Sequence, residues 1–156
     1  MLKKKSVSKV GSVMLLMLFS GISTVQAHSP PAQARVYFIG LEDGAVVQNP
    51  VKVKFGIEGF GITPAGTTGK IRHTAGHHHL LLDLDKVPDL DEPIPEDANH
   101  LHFDAGETEA ALTLEPGKHT LQLLLGDESH EPQDPPLISR KITIVVEPSP
   151  LRKTGY

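Results

Sequence analysis

Short segments in which apolar and polar residues alternate are the clearest pattern in the chain. In residues 51–58, Val51, Val53, Phe55 and Ile57 alternate with lysine, glycine and glutamate. A period of two predicts a β-strand with one buried face, because successive side chains of a strand point to opposite sides. The same pattern, or a short apolar run, predicts further strands in residues 35–40, 77–85, 100–104, 110–114, 121–125 and 138–147.

Prolines and glycines separate these segments and occupy 27 of the 156 positions. After the first 27 residues, no proline-free window has apolar residues at i, i+3, i+4 and i+7, the spacing of an amphipathic helix. We expect loops at residues 59–76 and 86–99, and a hairpin turn at Pro116-Gly117. The pattern predicts an all-β fold, an antiparallel immunoglobulin-like β-sandwich of about seven strands, with an eight-stranded barrel as the alternative.

Residues 1–27 have the composition of a secretory signal peptide. Four lysines precede the apolar stretch Val13 to Phe19, and Val25-Gln26-Ala27 offers small residues for cleavage. The apolar stretch is too short to anchor the chain in a bilayer, which takes ~20 residues. We therefore predict a periplasmic or secreted protein. Its predicted parts are a signal peptide at 1–27, a linker at 28–34, a domain at 35–147 and a flexible tail at 148–156.

Cleavage of this leader would change the charge and the chemistry of the protein. The leader holds four of the 15 basic residues and all three methionines, and the chain has no cysteine. The mature chain would then carry 11 basic and 19 acidic residues, a formal net charge of −8, and no sulfur. This composition excludes disulfides and thiolate sites. It also argues against nucleic acid as a partner and against stable membrane insertion after cleavage, and it favours cations.

Two pairs of histidines have a spacing that suits metal binding. The pairs are His77 with His79 and His100 with His102. Residues i and i+2 of a strand lie on the same side, ~6.5–7 Å apart. Two imidazoles at that spacing can bind one ion through bonds of ~2.0 Å. We predict that both pairs lie on outward faces of neighbouring strands, where these four residues are the metal ligands.

The absence of sulfur narrows the choice of ion. Imidazole and carboxylate suit Zn(II), Cu(II), Ni(II) or Fe(II), among which affinity favours copper and availability favours zinc. Asp83 and Asp104 are placed to orient the histidine rings. After cleavage, His28 could also chelate Cu(II) through its free α-amine and its ring. Two alternatives to metal binding remain for the histidine pairs. They serve as hydrogen-bonded structural residues, or they sense protons or contact a partner.

The remaining histidines have simpler interpretations. His78 shares the predicted core face with the leucines that follow it and is interpreted as a buried structural residue. His119 begins a strand after the Pro116-Gly117 turn and is also interpreted as structural. His73 and His130 stand alone in predicted loops, where solvent exposure is expected.

Several of these segments resemble a bacterial family called domain of unknown function 4399. The resemblance covers residues 35–147. It is carried by these motifs: Val36-Tyr37-Phe38-Ile39, Asp43-Gly44-Ala45, residues 51–59, Gly76-His77-His78-His79-Leu80-Leu81-Leu82-Asp83, Asn99-His100-Leu101-His102-Phe103 and residues 116–127. Asp104-Ala105-Gly106-Glu107 stands where the family pattern leads us to expect a glycine-rich turn. The family has no established activity, so the resemblance implies an exported domain and no mechanism.

The functional hypothesis is a periplasmic domain that binds Cu(II) or Zn(II) through its paired histidines. A metal ion is the expected partner, and another envelope protein is a further candidate. An enzyme is not expected, because the chain has neither a serine nucleophile elbow nor a His-Glu-x-x-His motif. The alternative is an envelope interaction or structural module without metal, in which the histidines are structural or sense pH.

Overall fold

The computed structural model describes residues 29–149. The predicted signal peptide, His28 and residues 150–156 of the predicted tail lie outside the described residues. Within the described range there are nine strands and one short 3₁₀ helix, Lys70–His73. The strands are β1 (Arg35–Phe38), β2 (Ala45–Val47), β3 (Val51–Glu58), β4 (Gly61–Ile62), β5 (Ala75–Leu82), β6 (His100–His102), β7 (Glu109–Leu112), β8 (Gly117–Gly126) and β9 (Ile142–Val146).

The strands form two sheets, so the prediction of an all-β fold is confirmed and the closed barrel is wrong. One sheet has the order β1-β3-β7. The other has six strands in the order β2-β9-β8-β5-β4, with β6 also paired to β5. Most pairs are antiparallel, but β2 runs parallel to β9 and β4 runs parallel to β5. No helix in residues 29–149 has the length and apolar character needed to cross a membrane.

One hydrophobic core lies between the two sheets. The three-stranded sheet contributes Val51, Val53 and Phe55, and the six-stranded sheet contributes the leucine row of β8 and Ile144 of β9. All of these side chains are at most 3% exposed. The charged residues that alternate with the valines of β3 point away from this core. Burying each large side chain contributes roughly 1.5–3 kcal/mol, so the core fixes which face of each strand is turned inward.

The opposite face of the six-stranded sheet is also covered. Leu81 of β5 and Leu124 of β8 form a small second cluster with Ile94, which comes from the long connection between β5 and β6. Ile94 is 4% exposed, and its N–H donates to the carbonyl of His130 at 2.9 Å. The acidic segment predicted as a surface loop therefore packs against the sheet and removes this face from solvent.

The structure corrects the local connections predicted from the sequence. The predicted hairpin around Pro116-Gly117 is absent from the described residues, since β7 pairs with β3, and β8 pairs with β5 and β9. The turn instead carries the chain from one sheet to the other. The predicted loop at 59–76 contains β4, the 3₁₀ helix and the start of β5, and β2 is an additional strand. The apolar residues of β7 and those of β8 both face the common core. Alternation alone therefore makes the two strands look like partners in one hairpin.

Candidate metal centre

Strands β5 and β6 bring three of the four predicted ligands together. His77 and His79 lie on the same face of β5, and their ring centroids are 4.6 Å apart. His79 is the register partner of His102 on β6. Side chains directly opposite each other in neighbouring strands are close, and these two ring centroids are 4.3 Å apart. The strand pairing thus places His77, His79 and His102 in one cluster.

The structure does not bring His100 into this cluster. Its Nδ1 lies 2.8 Å from Oδ1 of Asp97, three residues earlier. The same carboxylate accepts the backbone N–H groups of Asn99 and His100, so it closes the turn that leads into β6. The hydrogen bond from His100 is the largest cause that lowers the pKa of Asp97. The structure therefore brings together three of the four predicted ligands and places His100 in the turn before β6.

The fourth histidine of the cluster is His130, for which the sequence predicts solvent exposure. Its ring centroid lies 4.8 Å from that of His77 and 4.9 Å from that of His102. His130 follows β8 in a tight turn held by the side chain of Asp127, and it has a φ of 68°. The pairing of β5 with β8 brings His130 to the cluster. In that pairing His77 lies opposite Gly126, which is four residues before His130.

Asp104 brings one carboxylate oxygen close to three of the four histidines. Its Oδ1 lies 3.2 Å from Nε2 of His130, 3.6 Å from Nε2 of His77 and 3.8 Å from Nδ1 of His102. The other aspartate predicted to orient the rings, Asp83, contacts none of them and pairs with His119.

Among the residues described, two overlapping groups have ligand atoms that lie within 4.8 Å of one another. The groups are His77, His79 and His130, and His102, Asp104 and His130. A tetrahedral ion with bonds of about 2.0–2.1 Å holds its ligand atoms roughly 3.4 Å apart. Within each group, side-chain shifts of about 1 Å would bring the ligand atoms to that spacing, and His130 belongs to both groups. The available donors are four imidazole nitrogens and one carboxylate oxygen.

The histidines of β5 are fully buried, contrary to the outward position predicted for them. His77 and His79 are 0% exposed. Both ring nitrogens of each residue, and Nδ1 of His102, make no hydrogen bond of good geometry within the described part of the chain, and a backbone contact at Leu124 only opposes the lowering of the His79 pKa. A buried polar atom without a partner costs roughly 1–3 kcal/mol, and native proteins seldom leave several together. Five such nitrogens in one cluster indicate a site that a ligand completes.

A hydrogen bond fixes the orientation of the His102 ring. Its Nε2 lies 2.7 Å from the carbonyl oxygen of Pro95. A carbonyl oxygen only accepts, so Nε2–H donates and the lone pair of the neutral ring is on Nδ1. Nδ1 is the atom on the side of Asp104. Metal-binding histidines typically donate their second ring nitrogen to a carbonyl or carboxylate in this way.

The electrostatics of the cluster keep its buried imidazoles neutral. Burial is the largest cause that lowers the pKa of His77 to about 4 and that of His79 to about 2, and neighbouring histidines lower both further. The carboxylate of Asp104 opposes this effect at His77. A neutral imidazole has the lone pair that a metal ion requires, so no proton must be removed from these two rings at neutral pH.

Gly126 provides the space that the His79 ring occupies. A Cβ atom at Gly126 would lie 2.5 Å from Cε1 of His79 and 3.3 Å from the Cα of His130. The first of these distances is too short for any side chain, so the ring packs directly on the backbone of β8. A glycine at this position therefore forms part of the site.

The remaining histidines of residues 29–149 lie apart from the cluster. His78 points into the main core, where its ring is 5.1 Å from that of Phe55 and Nδ1 is 3.3 Å from the carbonyl oxygen of Glu107. His119 bridges Asp83 and the Glu115 carbonyl at 2.7 and 2.8 Å. His73 ends the 3₁₀ helix and accepts a hydrogen bond from Arg72. The structural interpretations of His78 and His119 agree with these positions.

Comparisons with known proteins identify a family without giving an activity. The sequence pattern of the family described as Domain of unknown function (DUF4399) matches residues 53–147, which include every residue of the cluster. No curated protein and no solved structure matches the chain. The match covers more than half of the sequence and agrees with the resemblance noted from its motifs. The chain belongs to the DUF4399 family.

Proposed function

We propose that this protein binds one divalent transition-metal ion, Cu(II) or Zn(II), through His77, His79, His102 and His130, with Asp104 as an oxygen ligand. The observation that carries the proposal is the convergence of five buried ring nitrogens that make no hydrogen bond of good geometry among the described residues. One metal ion can take the lone pair of one nitrogen on each of these three rings, because neutral imidazole is a preferred ligand of both ions.

The donor set favours ions that prefer imidazole over those that prefer sulfur or oxygen alone. The cluster offers nitrogen and one carboxylate oxygen, and the chain has no cysteine. Cu(I) and iron–sulfur clusters prefer sulfur, and calcium prefers six to eight oxygen ligands. On binding through Nε2 of His130, the ion would take the place of the proton shared with Asp104, and the neutral ring would carry its proton on Nδ1 instead. The carboxylate would then compensate part of the ion's charge.

Metal titration of the protein, purified without a polyhistidine tag, tests this proposal. Isothermal titration with Zn(II), followed by elemental analysis after dialysis, should give one ion per chain. His79→Ala should abolish retention of the ion, because it removes a buried ligand. His100→Ala is the matched control, since His100 is a nearby histidine that pairs with Asp97, and it should retain one ion. Equal retention by both variants would reject the proposed site.

We also propose that the protein is exported and that its two sheets form an immunoglobulin-like sandwich in the periplasm. The lysine-rich start and short apolar stretch of residues 1–27 support a cleaved leader. The shared core between two mostly antiparallel sheets supports the sandwich. N-terminal sequencing of the protein from a periplasmic fraction should begin at His28. A chain recovered only from the cytoplasm and beginning at Met1 would contradict export.

The same histidines support a second candidate function, an envelope module that senses pH without metal. Three adjacent buried histidines, residues 77–79, have pKa values well below 6.5. Such a module would lose stability in mild acid and would gain none from Zn(II). Thermal unfolding with and without Zn(II) at pH 7 separates the two functions, because only the metal-binding protein gains stability from the ion.

A further inference from the structure

The candidate centre has a buried side and an exposed side. We call His77, His79 and His102 the floor, because their side chains are 0%, 0% and 6% exposed. We call His130 and Asp104 the mouth, because their side chains are 30% and 53% exposed. An ion held by both sets would therefore be shielded by the sheet and the β5–β6 connection on one side and would face solvent on the other.

The floor ligands are fixed by the sheet itself. Two of them are register partners on β5 and β6, and the ring of His102 is held by its hydrogen bond to the Pro95 carbonyl. The ring of His79 packs on the backbone of Gly126. To release the ion, these rings would have to move within a packed layer, and close packing opposes such movement.

The mouth ligands come from connecting segments. Asp104 follows β6, and its side chain has no hydrogen-bond donor other than His130 among the described residues. His130 lies in the turn after β8, and the carbonyl that it presents to Ile94 fixes its backbone rather than its ring. Either mouth side chain can swing into solvent by rotation about its own bonds, without disturbing the sheet.

We propose that the protein is a carrier that passes its ion to an acceptor through this mouth, by direct substitution of one ligand at a time. The inference rests on the proposed metal-binding function. A nitrogen or oxygen donor of the acceptor forms a bond to the ion from the solvent side, and the bond from the ion to Asp104 breaks. The bond to His130 breaks next, and those to the floor histidines break last. No electron is transferred, and the ion stays divalent throughout.

This order of steps determines how the transfer rate depends on the acceptor. If the acceptor enters before the ion leaves, the rate rises in proportion to acceptor concentration. If the protein must first open and release the ion, the rate does not depend on the acceptor. The partner that fits the mouth offers imidazole, amine or carboxylate donors on a group small enough to reach between Asp104 and His130.

Stopped-flow transfer of Zn(II) to terpyridine tests the inference. Terpyridine is an uncharged chelator with three nitrogen donors, so a charge change at Asp104 does not alter its attraction to the protein. The full chain is loaded with one Zn(II) and mixed with increasing terpyridine, and formation of the zinc complex is followed by its absorbance. We expect a rate that increases linearly with terpyridine concentration.

Variants at the mouth supply the second measurement. Asp104→Ala and His130→Ala should each still take up one Zn(II), and each should transfer it about tenfold faster or more, since even partners outside the first ligand sphere affect metal affinity by about 10–100-fold. His100→Ala, the matched control, should transfer at the rate of the unsubstituted protein. A rate independent of terpyridine, or mouth variants no faster than the control, would overturn the carrier inference alone. Failure of the unsubstituted protein to take up Zn(II) would overturn both this inference and the proposed function.

Discussion

Acidification of the metal-free protein provides a quantitative test of how deeply its central histidines are buried. His77, His78 and His79 are 0% exposed. Burial is the main cause that lowers the pKa values of His77 and His78 to about 4 and that of His79 to about 2. In the unfolded chain each residue has the ordinary value of about 6.5. Below pH 6.5 the unfolded state therefore binds protons that the folded state does not bind, and stability decreases.

The size of the effect follows from the pKa differences. One pKa unit corresponds to about 1.36 kcal/mol. At pH 5, about 1.5 units below the unfolded value, each of the three histidines lowers the free energy of unfolding by about 2 kcal/mol. Together they remove about 6 kcal/mol, a large part of the roughly 5–15 kcal/mol typical of a domain. The loss begins near pH 6.5, and the slope decreases near pH 4, where His77 and His78 also become protonated in the folded state.

Urea unfolding after dialysis against a chelator measures this dependence. We expect the free energy of unfolding to fall steadily from pH 7 to pH 5, a range in which few carboxylates titrate. His78→Leu removes one buried titrating group that is not a proposed ligand, so about one third of the pH dependence should disappear. A stability that is constant or rises between pH 7 and pH 5 would refute the assigned burial.

Three further predictions concern other parts of the structure. Gly126→Ala should weaken Zn(II) binding in a calorimetric titration by about tenfold or more, as loss of ligand positioning typically does, because its Cβ would collide with the ring of His79; unchanged affinity would show that the ring does not need this space. Partial burial alone would lower the pKa of His119, but its hydrogen bonds to the Glu115 carbonyl and to Asp83 raise it, so its stabilising effect is present below pH 6.5 and is lost as the pH rises through the folded value. Asp83→Asn should bring that pKa down in an NMR titration, and a pKa that stays raised would contradict the pairing. Leu123→Ala, at a core position with 0% exposure, should lower the free energy of urea unfolding by about 2–5 kcal/mol, and a loss below 1 kcal/mol would contradict the shared core.

The alternation of residues is informative about strands and their faces. It predicts β3 at its observed bounds, because valines and lysines alternate there without interruption. Strands β2 and β4 have three and two residues, too few to show a period. Alternation shows which face of a strand is apolar but not which strand is its partner. The incorrect prediction of a hairpin between β7 and β8 follows from this limit. Pairing depends on contacts between distant segments, which local patterns do not record.

The candidate site was predictable to the extent that it depends on local spacing. His77 and His79 share a face because they are two residues apart, and this part of the prediction agrees with the structure. The position of His130 depends instead on the register of β5 against β8 and on a turn held by Asp127. His100 leaves the cluster because Asp97 offers its ring a closer partner.

Burial of the cluster was the least predictable feature. A strand face that carries two histidines has the pattern of a solvent-exposed surface, so the outward position was the natural expectation. The face is covered because the β5–β6 connection brings Ile94 onto it, beside Leu81 and Leu124. That connection has many acidic residues and prolines, and its single buried isoleucine gives little indication that the segment packs against the sheet.

X-ray absorption at the zinc or copper edge of the loaded protein tests the central claim most directly, because it reports the atoms bound to the ion. The structure predicts a first shell of nitrogen and oxygen at about 2.0–2.1 Å for zinc, with the multiple scattering of three or four imidazole rings and with no sulfur. These features should persist in His100→Ala and should be lost in His79→Ala together with the bound ion. A shell without imidazole scattering, or no ion retained after dialysis, would contradict the assignment of the cluster as a metal centre.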